Sequence, residues 1–319
     1  MRVQHLLDLF AAHRKRAILI GSPEAGVVAG LDLEGRLYAV ARGEVLNRVN
    51  EAAVAGISGP AGYLNPGGDG LWPAPEGTGF GYNYATGAWR VSPALSGARY
   101  LVGPTTATSA ELAADLDLIN AQGLGLPVRA GRAVSVRPIA GGVEVICEES
   151  FTYLGGRTLT RQECLLAAWT LSQFDCGPGC ATVFPDGGPG CVWDLYAPSD
   201  AHRRLEDGLW HVRTAGDARF QLGLAASVPW IEFRRPDGLR VRRSATVPDG
   251  QPFIDLADRP PQEGPDPRAC RYSIYNDGGN GFMEIEAAGG MPEVLVPGTR
   301  LAVAVTTRFT RPAAGPPTR

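Results

Sequence analysis

Glycine and proline punctuate this chain from end to end, with 42 Gly and 26 Pro among its 319 residues. That density forbids long helices, because an interior proline costs about 3 kcal/mol and an interior glycine about 1 kcal/mol. The glycines follow no three-residue period, which excludes a collagen-like chain. A hydrophobic content of 44% and a net charge of only -3 exclude wholesale disorder. What remains is a loop-rich globular protein dominated by β-structure.

The spacing of apolar residues fills in that outline. Leu6, Leu7, Leu9, Phe10 and Ile18 fall near a helical period, so a short amphipathic helix is predicted over residues 4–16. From about residue 17 the period drops to two, in short apolar runs separated by Gly and Pro. In GVEVICEESFTYL, Val143, Val145 and Cys147 alternate with Glu144, Ile146 and Glu148, and LRVRRSATV and RLAVAVTTRFT alternate more cleanly. The segment 109–123 admits an N-capped helix or a strand; the alternation in DLDLIN favours a strand after a short turn. Strand-like runs recur every 8–15 residues, as expected for a large antiparallel β-sandwich. The expected organisation is an N-terminal helix (1–16), one all-β sandwich domain (17–310) and a disordered tail (311–319).

Lys15 is the single lysine among 30 basic residues, a bias that reads as the coding habit of a GC-rich genome. The net charge provides no basic field for a nucleic-acid backbone. The cluster Arg234, Arg235, Arg240, Arg242 and Arg243 reads as the solvent face of a strand pair. The N-terminal apolar run is broken by Asp8 and followed, not preceded, by Arg14, Lys15 and Arg16, unlike a secretory signal. No stretch approaches the roughly 20 apolar residues of a membrane span, so a cytoplasmic protein without membrane or nucleic-acid partners is expected. Cys176, Cys180 and Cys191 crowd one Gly/Pro-rich stretch, and His202 follows. Their spacing differs from paired C-x-x-C knuckles, so free loop thiols are expected, with no metal and no cofactor.

Three segments carry the side chains for chemistry. NPGGDGLWPAPEGTGFGYNY (65–84) combines flexible glycines with Asp69, Trp72 and Glu76. Aromatic faces stack on the C–H face of a sugar ring, and carboxylates accept hydrogen bonds from hydroxyls; a self-packed Ω-like loop is the alternative. In GFMEIEAAGG, Glu284 and Glu286 lie two apart and project from one strand face, toward solvent, arginines or a polar ligand. In LLAAWTLSQF (165–174), Trp169, Leu171 and Gln173 share a face, lining either the core or the same concavity. His211, in GLWHVRT, is the one histidine placed to enter a site, and a structural role is its alternative. No G-x-S-x-G elbow, Walker loop, H-E-x-x-H or Rossmann fingerprint occurs.

Taken in order, EAGVVAGLDLEGRLYAVARGE, NPGGDGLWPAPEGTGF, and FMEIEAAGG with VLVPGTRL resemble segments of the galactose mutarotase-like superfamily, the relatives of aldose 1-epimerase. The resemblance runs through most of residues 17–310. It implies a β-supersandwich with a sugar-binding concave face and acid–base opening of a sugar hemiacetal. By position, Glu284 matches the family's general base, with Glu286 next. The family's catalytic histidine has no counterpart in the middle strands: WTLSQF offers Gln173 there, and His211 is at best a substitute. The expected site therefore comprises Glu284 and His211 as catalytic groups, with Asp69, Trp72, Glu76, Trp169, Gln173 and Glu286 holding a sugar or oligosaccharide. Two alternatives stay open: sugar binding without turnover, and a β-sandwich that engages another protein.

Overall fold

The computed structural model describes residues 1–58, 62–195, 197–216 and 218–311. Among them, two ten-stranded antiparallel sheets pack face to face. The front sheet runs in spatial order Ala17–Gly21, Ala25–Gly30, Arg36–Ala41, Asp69–Ala74, Ala167–Asp175, Phe282–Ala288, Tyr272–Asp277, Arg219–Leu224 and Val192–Asp194, with Glu44–Val45 hairpinned onto Arg36–Ala41. The back sheet runs Arg203–Glu206, Leu209–Arg213, Ala181–Pro185, Ile231–Arg234, Arg240–Thr246, Arg300–Thr310, Gly142–Tyr153, Gly125–Ile139, Ser109–Ile119 and Leu101–Thr105. The front sheet thus joins strands from both halves of the chain.

The two sheets differ in pattern. The long back-sheet strands alternate buried and exposed residues, as in Gly125–Ile139 and Ser109–Ile119. Their inner apolar residues fill the core, and their outer faces carry ion pairs such as Arg129–Asp115 and Arg137–Glu144–Arg308. The segment at 109 is accordingly a strand, ending at Ile119. The central front strands Ala167–Asp175 and Phe282–Ala288 are buried on both faces. One face meets the core through Phe174, Met283, Ile285 and Ala287. Their other face lines a cleft, whereas elsewhere the outer side of the sheet is covered by segments that fold over it.

The N-terminal helix, Val3–Ala12, is one such cover. Val3, Leu6 and Phe10 pack on Val28, Tyr38 and Val40, forming a second, smaller apolar cluster on the outer side of the front sheet. Full burial of Leu6 and Phe10 contributes on the order of 1.5–3 kcal/mol each. Arg311 is ion-paired to Glu44 and Asp237, while the rest of the tail expected to be disordered lies outside the described residues. Among the described residues, no helix is long and apolar enough to cross a membrane.

Candidate functional site

The uncovered part of the front sheet's outer face forms a cleft of about 410 Å³. Strand alternation decides who enters it. Odd-numbered residues of Ala167–Asp175 and even-numbered residues of Phe282–Ala288 point outward, so Trp169, Leu171, Gln173, Glu284 and Glu286 share one surface. Register sets the neighbours: Gln173 pairs with Glu284 and Leu171 with Glu286, while Tyr275 and Ser273 flank the glutamates from the other side. Gln221 lies opposite Tyr275, and Trp72 opposite Trp169. Arg36 reaches across from the next strand, and Gly70 makes room for it: a Cβ there would sit 2.6 Å from the guanidinium carbon. Arg36 is held by buried Glu34 at 2.9 Å and by the Tyr63 hydroxyl at 2.7 Å.

Two loops build one wall. Residues 75–81 and 257–261 are stitched by backbone hydrogen bonds from Gly77 N–H to Ala257 O and from Thr78 N–H to Arg259 O. Only glycine fits at position 77, because a Cβ would lie 1.9 Å from the Arg259 nitrogen. This contact brings Glu76 and Asp258 to the same part of the cleft. Trp89 Nε1 donates to Glu76 Oε1 at 2.6 Å, and the Tyr84 hydroxyl donates to Asp258 at 2.7 Å. Opposite, the Tyr275 hydroxyl donates to Asp277, and Arg219 donates to the Tyr275 oxygen. Arg48 lies 5.4 Å from the Phe282 ring centroid and pairs with Asp175.

The floor is rich in carboxyl groups that burial forces toward the neutral form. Burial, with the neighbouring Glu284 charge, raises Glu286 well above the ordinary carboxylate range. Glu284 is also raised by burial, while hydrogen bonds from Gln173 (2.8 Å) and Glu286 and the charge of Arg36 favour its anion. Of the two, Glu286 is pushed further toward the neutral form. Trp169 Nε1 and Gln221 Nε2 donate to Glu286 Oε2, at 3.1 and 3.2 Å. In the wall, burial and then Asp258 push Glu76 up to about 8. Trp72 Nε1 and Gln173 Oε1 are buried without a protein partner. Such groups are costly to leave unpaired.

Six of the eight residues singled out from the sequence line this cleft: Trp72, Glu76, Trp169, Gln173, Glu284 and Glu286. Two do not. Asp69 is three residues from Trp72 on one strand and so faces the opposite side, into the core. There it binds Arg132 at 2.8 Å, Arg243 at 3.0 Å and the Thr170 hydroxyl at 2.7 Å. His211 lies on Leu209–Arg213 in the back sheet, paired with Val183 and Arg204, and is not among the cleft-lining residues. Its strand was legible but not the sheet that the strand joins. Arg243 also departs from expectation: it turns inward and is 2% exposed, whereas Arg240 and Arg242 face solvent.

Several lining residues gave little sequence signal. Gln221 is a polar residue in the apolar run FQLGL, which is a usable hint. Asp258 and Trp89 sit in irregular loops, and only the tertiary contact of those loops gives them a place. All six cysteines are free thiols. The His202 ring stacks on Phe220 at 5.0 Å, and its Nδ1 lies 3.2 Å from Arg213. Among the described residues, no group of three or more His, Cys, Asp or Glu side chains is placed to hold a metal ion.

No family model and no curated protein matches this sequence. Solved structures do match in fold. Slr1438 from Synechocystis sp. PCC 6803 superposes with a TM-score of 0.60 at 12% identity, covering 93% of this chain and 96% of that one. A galactose mutarotase-like protein from Lactobacillus casei gives a TM-score of 0.56 at 12% identity, over 92% of this chain and all of the other. A putative mutarotase (YeaD) from Salmonella typhimurium gives 0.51 at 11% identity, over 93% and 91% of the two chains.

Proposed function

We propose that this chain, whose fold is that of the galactose mutarotase-like proteins, binds a carbohydrate in the front-sheet cleft and interconverts its anomers. The observation that carries this reading is the convergence of carboxyl groups, amides and tryptophans on one concave surface. Glu284, Glu286, Gln173 and Gln221 are flanked there by Trp72 and Trp169. A volume of about 410 Å³ suits a small ligand, and the mixture of aromatic faces and hydroxyl-binding groups suits a sugar. The likeness to a galactose mutarotase-like protein and a putative mutarotase supports the same ligand class.

In this reading Glu284 is the base that takes the proton of the anomeric hydroxyl. Gln173 orients it, through the 2.8 Å hydrogen bond. Glu286 neighbours it on the floor, and Trp72 and Trp169 form the apolar part of the lining beside them. Calorimetric titration with neutral mono- and oligosaccharides tests the reading. Saturable binding that Trp72→Ala weakens at least tenfold is expected; no heat with any sugar overturns it.

A further inference from the structure

We propose that Glu76 is the catalytic acid of this cleft, protonating the sugar ring oxygen while Glu284 deprotonates the anomeric hydroxyl. This rests on the carbohydrate reading above. Ring opening needs a proton donor as well as a base, and no histidine lines the cleft among the described residues. Gln173 has no transferable proton at neutral pH, and Glu286, on the floor, is fully buried. Glu76 differs from both: it is partly exposed, lines the cavity, and comes from the wall rather than the floor.

Its surroundings fit an acid. One oxygen is fixed by Trp89 Nε1 at 2.6 Å, which orients the carboxyl group and leaves the second oxygen to carry a proton. The stitched loops hold Asp258 beside it, and Tyr84 in turn fixes Asp258. The charged groups facing Glu76 are Asp258 from the 257–261 loop, Glu284 from the floor and Arg219 from a neighbouring strand. Burial raises this carboxyl group most, the charges of Asp258 and Glu284 add to the rise, and the Trp89 hydrogen bond and Arg219 oppose it, leaving it pushed up to about 8.

The step balances with these two groups alone. The Glu76 proton passes to the ring oxygen as the bond from that oxygen to the anomeric carbon breaks, its electron pair staying on the oxygen. Glu284 accepts the proton of the anomeric hydroxyl, whose electron pair becomes the second bond of the aldehyde carbonyl. After rotation of the aldehyde, both transfers reverse on its other face, and both carboxyl groups return to their starting states.

The test follows anomer interconversion of freshly dissolved α-D-glucose and α-D-galactose by polarimetry with the full-length protein. The wild type is expected to show a bell-shaped pH profile whose alkaline limb falls near pH 8. Glu76→Gln is expected to lower kcat about 100-fold or more, leave KM within a few fold and abolish the alkaline limb. Trp89→Phe, which removes a hydrogen bond to the Glu76 anion, is expected to move that limb to higher pH. A wild type that neither binds nor interconverts a sugar overturns the carbohydrate reading together with this assignment. A wild type that binds without interconversion overturns the assignment and the catalytic part of the reading. An active Glu76→Gln variant, or an alkaline limb unmoved in Trp89→Phe should Glu76→Gln fail to fold, overturns the role of Glu76 alone.

Discussion

The two faces of the front sheet bury carboxyl groups to opposite effect. On the core face, Asp69 meets two arginines from the back sheet, Arg132 and Arg243. Burial pushes its carboxyl group up, but the two guanidinium charges and the hydrogen bonds from Thr170 and Arg132 hold it below the ordinary aspartate value. Arg132 also grips Glu149 at 2.6 Å, so the network ties the sheets together through matched charges. On the cleft face, Glu286 meets amide and indole N–H groups and another carboxyl group, and burial keeps it neutral. Within one sheet, partner chemistry decides whether a buried acid is a structural ion or a proton reservoir.

The largest expected effect breaks the core side of that contrast. Asp69→Ala strands the buried Arg243 and leaves Arg132 with Glu149 alone, and is expected to cost about 3–5 kcal/mol in denaturant unfolding. A loss below about 1 kcal/mol would mean that the network contributes no such coupling. Because the Asp69 carboxyl group is held low, its contribution is present above its unfolded value and is lost as pH falls through the folded one.

Gly70→Ala acts on the cleft face. Its Cβ would press on the Arg36 guanidinium, an anchored group with little room to move, and a cost of about 1–3 kcal/mol is expected. A thermal melt with Tm unchanged would show that Arg36 yields freely.

Glu286→Gln sharpens the comparison through pH. A carboxyl group raised on folding contributes stability below its unfolded value, and that contribution is lost as pH rises toward the folded one. The variant removes this dependence, so its Tm is expected to fall less than that of the wild type between pH 5 and pH 8, by about 2 °C or more. Parallel Tm profiles would contradict a neutral Glu286. The smallest effect lies on the outer back sheet: Arg137→Ala removes an exposed arginine from Glu144, which keeps its pair with Arg308, and is expected to leave Tm unchanged within error.

The same contrast explains how far the sequence could be read. Alternation revealed the strands, since burial of one face imposes a period of two; Ser109–Ile119 and Gly142–Tyr153 are examples. It also put Glu284 with Glu286, and Trp169 with Gln173, on single faces. It does not specify which sheet a strand joins, and that decides the place of His211; the inward turn of Arg243, next to Arg242, is by contrast what a period of two requires. Asp69 shares a Gly-rich motif with Trp72, yet its three-residue separation on one strand puts it on the opposite face. The meeting of Glu76 with Asp258 depends on backbone contact between two irregular loops, which no periodicity encodes.

The most direct test of an acid–base cleft is exchange NMR on the anomeric protons of aldoses, comparing wild type with Glu284→Gln. Wild type is expected to speed exchange between the α and β signals of at least one aldose well above the buffer rate, and Glu284→Gln to return it to that rate while the sugar still binds. Exchange at the buffer rate with wild type for every aldose tried, or undiminished exchange in Glu284→Gln, would contradict it.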